Sequence, residues 1–378
     1  MSHQRTTVGR VRTVVGALSL VLFAQTTFWL FYDVAQRGLS GAWTVWTTGT
    51  PSGLSATTSM DLGLAALQLG AGWAALRQGR GAGGLLVTAC AATMLFRLPV
   101  LWYLLLNSPS NPWFGMLTGA SLNVVGLTCI LAIVVDIALG ILLLRAWQLE
   151  NDIAEAELAA EAEDDSLHHG SVRPVKVTAT ASGVVLAVLN VVYIFRNAIT
   201  AYRVGPEGLA HLLAGRGTGR AVLAVSSPWQ WSCLTLLCGV GMVLAAKRRP
   251  IATGFGLGLA LFMVPSSFTD LVGATEAHTL FTVPGASGQN FLEVVGGVAM
   301  ASLILGDARR ERRGRGSHIE FPSASVPLPP AGVPGSPPTL GATMPGMPTS
   351  SRTVQVSTGS EHGRTQGLHH RGTSSREG

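Results

Sequence analysis

Leu95-Phe96-Arg97-Leu98-Pro99 reappears later in the chain as Leu261-Phe262-Met263-Val264-Pro265. Two further matches keep the same order. Leu122-Asn123-Val124-Val125-Gly126 returns as Leu292-Glu293-Val294-Val295-Gly296, and Gly70-Ala71-Gly72 before Arg77 returns as Gly239-Val240-Gly241 before Lys247. Gln25-Thr26-Thr27-Phe28 against Asn190-Val191-Val192-Tyr193 is a weaker fourth pair. Each is displaced by roughly 170 residues, the signature of a duplicated unit. All lie in long apolar stretches, so the chain reads as a duplicated bundle of membrane helices.

Working outward, a spanning helix needs about 20 mostly apolar residues. Eight segments meet that length approximately: 12–32, 58–76, 82–105, 116–145, 178–202, 228–246, 251–270 and 289–307. Only 12% of the 378 residues are charged, 48% are hydrophobic, and the mean hydropathy is +0.40. Soluble domains average about 25% charged residues. The expected fold is an all-α integral membrane protein of about eight helices in two four-helix halves. An even number of helices per half returns the chain to the same side, so the repeats are expected to be parallel. The division is 1–146 for the first half, 147–177 for a linker, 178–308 for the second half, and 309–378 for a basic stub and tail.

Flanking charge predicts orientation. Arg77 and Arg80, then Arg145, Arg173 and Lys176, then Lys247, Arg248 and Arg249 all fall on one side of an eight-span topology. Segments 107–115 and 271–288, on the other side, contain no Lys or Arg and 33–57 has only Arg37; the exception is 203–227, with Arg203, Arg216 and Arg220, a longer loop in which Arg weighs less. The positive-inside rule then puts both termini in the cytoplasm of a multi-pass plasma-membrane protein. It also accounts for the net charge of +6 without nucleic acid. Arg5, Arg10 and Arg12 precede an apolar run from Val14 to Phe31, which is long for a secretory signal and reads as a retained helix. Trp29, Trp43, Trp46, Trp102, Trp113, Trp229 and Trp231 map to the outer face as headgroup-level belt residues.

The linker begins as a helix continuing the fourth span, rich in Ala and Glu over 154–161, and breaks at His168-His169-Gly170. Beyond Gly314, Pro, Ser, Gly and Thr dominate, a composition that predicts disorder and offers a docking segment for a protein partner. The basic stub, Arg309, Arg310, Arg312, Arg313 and Arg315, is placed to meet anionic lipid.

Ionisable residues within spans are functional candidates by default. Arg97 and Asp136 both fall roughly 12 Å or more from the helix ends, near the midplane, and are expected to pair. Arg196, Asp270 and Glu293 fall near the outer ends of their helices and form a second candidate polar cluster. Pro99 and Pro265 predict matched kinks. Gly63, Gly70 and Gly72, and later Gly254, Gly256 and Gly258, allow close helix approach. Cys90, Cys129, Cys233 and Cys238 read as small packing residues rather than a disulfide or metal framework. No hydrolase, metalloprotease or phosphate-loop motif occurs, and no cofactor, metal or catalytic residue is assigned. This leaves a non-catalytic membrane scaffold or regulatory component as the first functional reading, and a secondary transporter or permease for a small solute as the alternative.

Overall fold

The computed structural model describes residues 2–48, 55–79, 81–106, 120–164, 177–214, 221–247, 249, 251–280 and 286–317. The loop at 107–115, with Trp113, the linker from 165 to 176, with His168 and His169, and the tail from 318 lie outside the described residues. Eight helices follow one another without a strand among the described residues: α1 (Ser2–Thr48), α2 (Ser59–Leu76), α3 (Ala82–Leu106), α4 (Ala120–Asp164), α5 (Val177–Leu213), α6 (Ser227–Ala246), α7 (Ile251–Glu276) and α8 (Ala286–Ser317). Seven of them are long and apolar enough to cross a membrane. The exception is α2, whose 18 residues include Asp61 and Gln68.

Residues 1–319 form one compact unit. Its interior is α2, α3 and α7. In α3 and α7, 67% and 61% of the most apolar window is buried, against 17–33% in the other five spans, so the remaining helices are peripheral. Their outward faces are apolar. Leu127, Val134 and Ile141 recur every seventh residue on α4, and Val184, Val188, Val191 and Phe195 stand exposed on α5. Polar side chains point inward instead. Thr26 donates to Gln68 Oε1 at 3.0 Å, and Gln68 donates to Thr93 at 3.0 Å, tying α1, α2 and α3 together in the interior. Continuous apolar surface on this scale is not tolerated in water. With polar side chains turned inward and apolar ones outward over seven long helices, the protein is a membrane protein.

Close backbone approach requires glycine at several crossings, of which two serve as examples. A Cβ at Gly63 would strike the backbone carbonyl of Phe262, where α2 crosses α7, and one at Gly254 would strike the carbonyl of Gly81, just before α3 begins. Among the described residues, the backbone leaves helical geometry within an element at Gly38 in α1 (φ 72°, ψ 166°) and at Gly205 in α5 (φ 74°, ψ 169°). Pro99 and Pro265 both lie inside helices, in α3 and α7, and neither is the point of such a break. The prolines act through hydrogen bonding. Pro99 has no N–H to give the carbonyl of Leu95 one turn earlier. That carbonyl instead accepts the indole N–H of Trp229, from α6, at 2.9 Å.

Several boundaries differ from the sequence expectation. Helical backbone extends past 32, but Gly38, in non-helical geometry, divides α1 into two helices across a kink, the second reaching Thr48. The stretch after 203 is helical as well, Gly205 dividing α5 in the same way before a second helix that reaches Leu213. The basic stub is helical backbone as far as Ser317. Trp29 and Trp46 are buried rather than at a headgroup belt, donating to Thr128 at 3.1 Å and Thr57 at 2.9 Å. All four cysteines are free and buried.

Candidate functional site

Arg97 lies on the most buried face of α3, with 4% of its side chain exposed. Its partner is Asp61 of α2, Nη2 to Oδ1 at 2.6 Å, and not Asp136 as the spacing within the third and fourth spans suggested. Asp61 occupies the third position of α2, where its other oxygen accepts the backbone N–H of Thr58 at 2.8 Å. One carboxylate therefore closes the start of a helix and neutralises the arginine. Asp61 carried a visible signal, the pattern Thr58-x-x-Asp61, but that pattern reads as a helix start rather than a partner for an intramembrane cation.

Asp136 lies farther along the bundle. The thiol of Cys90 donates to the backbone carbonyl of Asp136 at 3.3 Å, which sets these two residues side by side on α3 and α4. Arg97 is seven residues from Cys90, a rise of about 10 Å. The Asp136 side chain is fully buried, and neither carboxylate oxygen has a hydrogen-bond partner.

A large cavity of about 750 Å³ opens at the end of the bundle where α1, α5 and α7 finish and α2, α6 and α8 begin. Ser55, Ala56 and Thr57 set one edge. The Asp33 carboxylate of α1 accepts the Ser55 hydroxyl at 2.8 Å and the backbone N–H groups of Ala56 and Thr57 at 2.9 and 2.7 Å. So anchored, the segment accepts from Val222 N at 2.9 Å and Leu223 N at 3.0 Å, joining the approach to α2 with the approach to α6. The chain then diverges into the two walls, Thr58 to Met60 on one side and Ala224 to Pro228 on the other.

The cavity is lined by apolar rings and by polar groups of every class. Trp46 and Trp231 supply indoles, Thr47 and Thr200 hydroxyls, and Gln289 and Asn290 amides. Arg196 and Asp270 supply the two signs of charge, so the structure brings these two members of the sequence cluster to one cavity. Arg196 does not reach away from the bundle, as a snorkelling side chain would. Its guanidinium stacks 4.7 Å from the ring centroid of Trp231. Glu293, the third member, is buried and not water-facing. It accepts from Ser267 and from Gln289 Nε2, the latter at 2.7 Å, and so braces a residue of the cavity wall from behind.

A much smaller void, about 10 Å³, lies against Asp61, Arg97 and Phe96. Met60 and Val225 border both spaces. The charge pair is thus separated from the large cavity by those two side chains.

No known protein family, curated protein or solved structure matches the chain.

Proposed function

We propose that the chain is a carrier-type membrane protein that binds a small polar organic solute in the cavity between Arg196 and Asp270. The observation that carries this reading is the cavity itself. Its volume falls in the roughly 300–1,000 Å³ range of small-molecule sites, and its lining pairs apolar rings with a few convergent polar groups. Arg196 of α5 and Asp270 of α7, lining one cavity, suit a solute with both acidic and basic groups. A scaffold acting through linker and tail would rest on residues outside those described, whereas the cavity is built from the helices.

The finer architecture belongs to the same proposal. Eight spans form two parallel four-helix repeats, α1–α4 and α5–α8, with both termini in the cytoplasm of the plasma membrane. Three geometric coincidences support the duplication. Gly38 and Gly205 break their helices with nearly the same dihedral angles. Arg77 and Lys247 end α2 and α6 with the same cap, φ −82° and −77°. Phe96 and Phe262, equivalent residues of the repeated motif, stack on each other at 5.0 Å with rings 13° apart, as paired positions do across a two-fold axis. On this topology the cavity faces outward, and α2 spans as a helix shielded by its neighbours. The basic residues from Arg309 to Arg315 lie at the inner leaflet against anionic lipid, and the tail remains a docking segment for a protein partner.

The test combines access with binding. Single cysteines at Thr200 and Asn290, on a background lacking the four native cysteines, should react with a water-soluble maleimide in intact membranes. Amino acids, organic acids and sugars should then be screened for thermal stabilisation of the purified protein. One class is expected to stabilise wild type and to lose that effect in Asp270→Asn. Unreactive cysteines together with no stabilising class would overturn the reading.

A further inference from the structure

Among the described residues, four carboxylates are deeply buried, and three of them are supplied with donors. Asp33 takes the hydroxyl and amides of 55–57, Asp61 takes Arg97 and Thr58, and Glu293 takes Ser267 and Gln289. Asp136 has no hydrogen bond to either oxygen and no exposed surface.

The helices packed against it offer little to hold a negative charge. From α3 come the Cys90 thiol and, two turns away, Arg97, whose Nη2 already meets Asp61 at 2.6 Å. On α4 itself the nearest ionisable residues are Cys129 and Arg145, and α1 carries no ionisable side chain between Arg12 and Tyr32. An ionised carboxylate in such a place forfeits its hydration with no donor to replace it. A neutral carboxyl avoids most of that loss and has a proton to release. Among the described residues no three His, Cys, Asp or Glu side chains converge on a point, so the surroundings are those of a proton site rather than a metal site.

Asp136 lies two turns beyond Arg97, and Met60 and Val225 stand between the Arg97–Asp61 pair and the large cavity.

We propose that Asp136 is a proton-binding site inside the membrane, its carboxyl releasing a proton to become carboxylate and taking one up again to return to the neutral form. Its use, coupling proton movement to solute movement, rests on the carrier reading. Its existence does not.

The test is infrared difference spectroscopy of the full-length protein in vesicles, between acidic and alkaline buffer. Wild type should show the carbonyl band of a protonated carboxyl that disappears on alkalinisation. Asp136→Asn should lack that band, and Asp136→Glu, which keeps the carboxyl should the amide variant fail to fold, should displace it. Dicyclohexylcarbodiimide, which modifies protonated carboxyls in apolar settings, should label the peptide containing Asp136 in acidic buffer and leave Asp61 unlabelled. A band that persists in folded Asp136→Asn, or that sodium chloride abolishes at fixed pH, would overturn the proposal. Solute binding without the band would sink this inference alone, and the band without solute binding would sink only the carrier reading.

Discussion

The strongest test of the interior is a double-mutant cycle on Arg97 and Asp61. Both side chains are almost fully buried and meet at 2.6 Å. Removing one partner of such a pair strands a charge, which costs about 3–5 kcal/mol. The two single changes should not be equal. In Arg97→Met, Asp61 keeps the backbone N–H of Thr58 as a donor, so the cost falls toward the lower end of that range. In Asp61→Leu, Arg97 loses its carboxylate and α2 loses its cap, adding about 1 kcal/mol. The double variant carries no stranded charge and should retain only the cap deficit and any packing mismatch. Coupling of about 2–4 kcal/mol is therefore expected from reversible unfolding in mixed micelles. A parallel cycle on Arg97 and Asp136 should give a smaller coupling. A double variant no more stable than the worse single, or stronger coupling to Asp136 than to Asp61, would refute the assignment.

Three further outcomes follow from the packing and the proposed topology. Gly63→Ala should destabilise by about 1–3 kcal/mol, although alanine is the better helix former, because the added carbon meets the Phe262 backbone; chemical or thermal unfolding reads this directly. Trp229→Phe replaces the indole with a smaller aromatic ring and removes the donor to the Leu95 carbonyl, which has no N–H partner at Pro99; a loss of about 1–3 kcal/mol is expected by the same measurement. A cysteine at Gly170 should react with an impermeant maleimide only after the membrane is opened, and labelling from outside intact cells would reverse the proposed topology.

The apolar spans were legible because lipid demands long runs of hydrophobic side chains, and no other constraint in this chain competes with that demand. Helix ends were less legible. Gly38 and Gly205 each end one helix where another begins at once across a kink, and composition alone does not show that a second helix follows. Arg97 stood out as a cation in an apolar segment, but its partner did not. Asp61 lies at a helix start, where a carboxylate needs no further explanation, and only tertiary packing brings α2 against that face of α3. Arg196 and Asp270 were grouped from their depth near helix ends, and they do line one cavity. Glu293 shares their depth yet turns inward, because a helix position fixes height in the bundle and leaves the rotation about the helix axis to packing. The seam at 55–57 was invisible, since it consists of backbone bonds to a segment more than a hundred and sixty residues away.

That seam restricts how the cavity can change shape. Asp33, the two amides it receives and the two bonds across to Val222 and Leu223 form a rivet between the approaches to α2 and α6. Spreading the walls on that side would break several hydrogen bonds at once, in a place with little water to replace them. The other rim is tied as well where α7 meets α1, since a Cβ at Gly273 would strike the Thr47 carbonyl. Thr200 of α5 and Asn290 of α8 complete the border of the cavity, and α5 leaves helical geometry at Gly205. The mouth is thus pinned at two places on its circumference, both of them through α1.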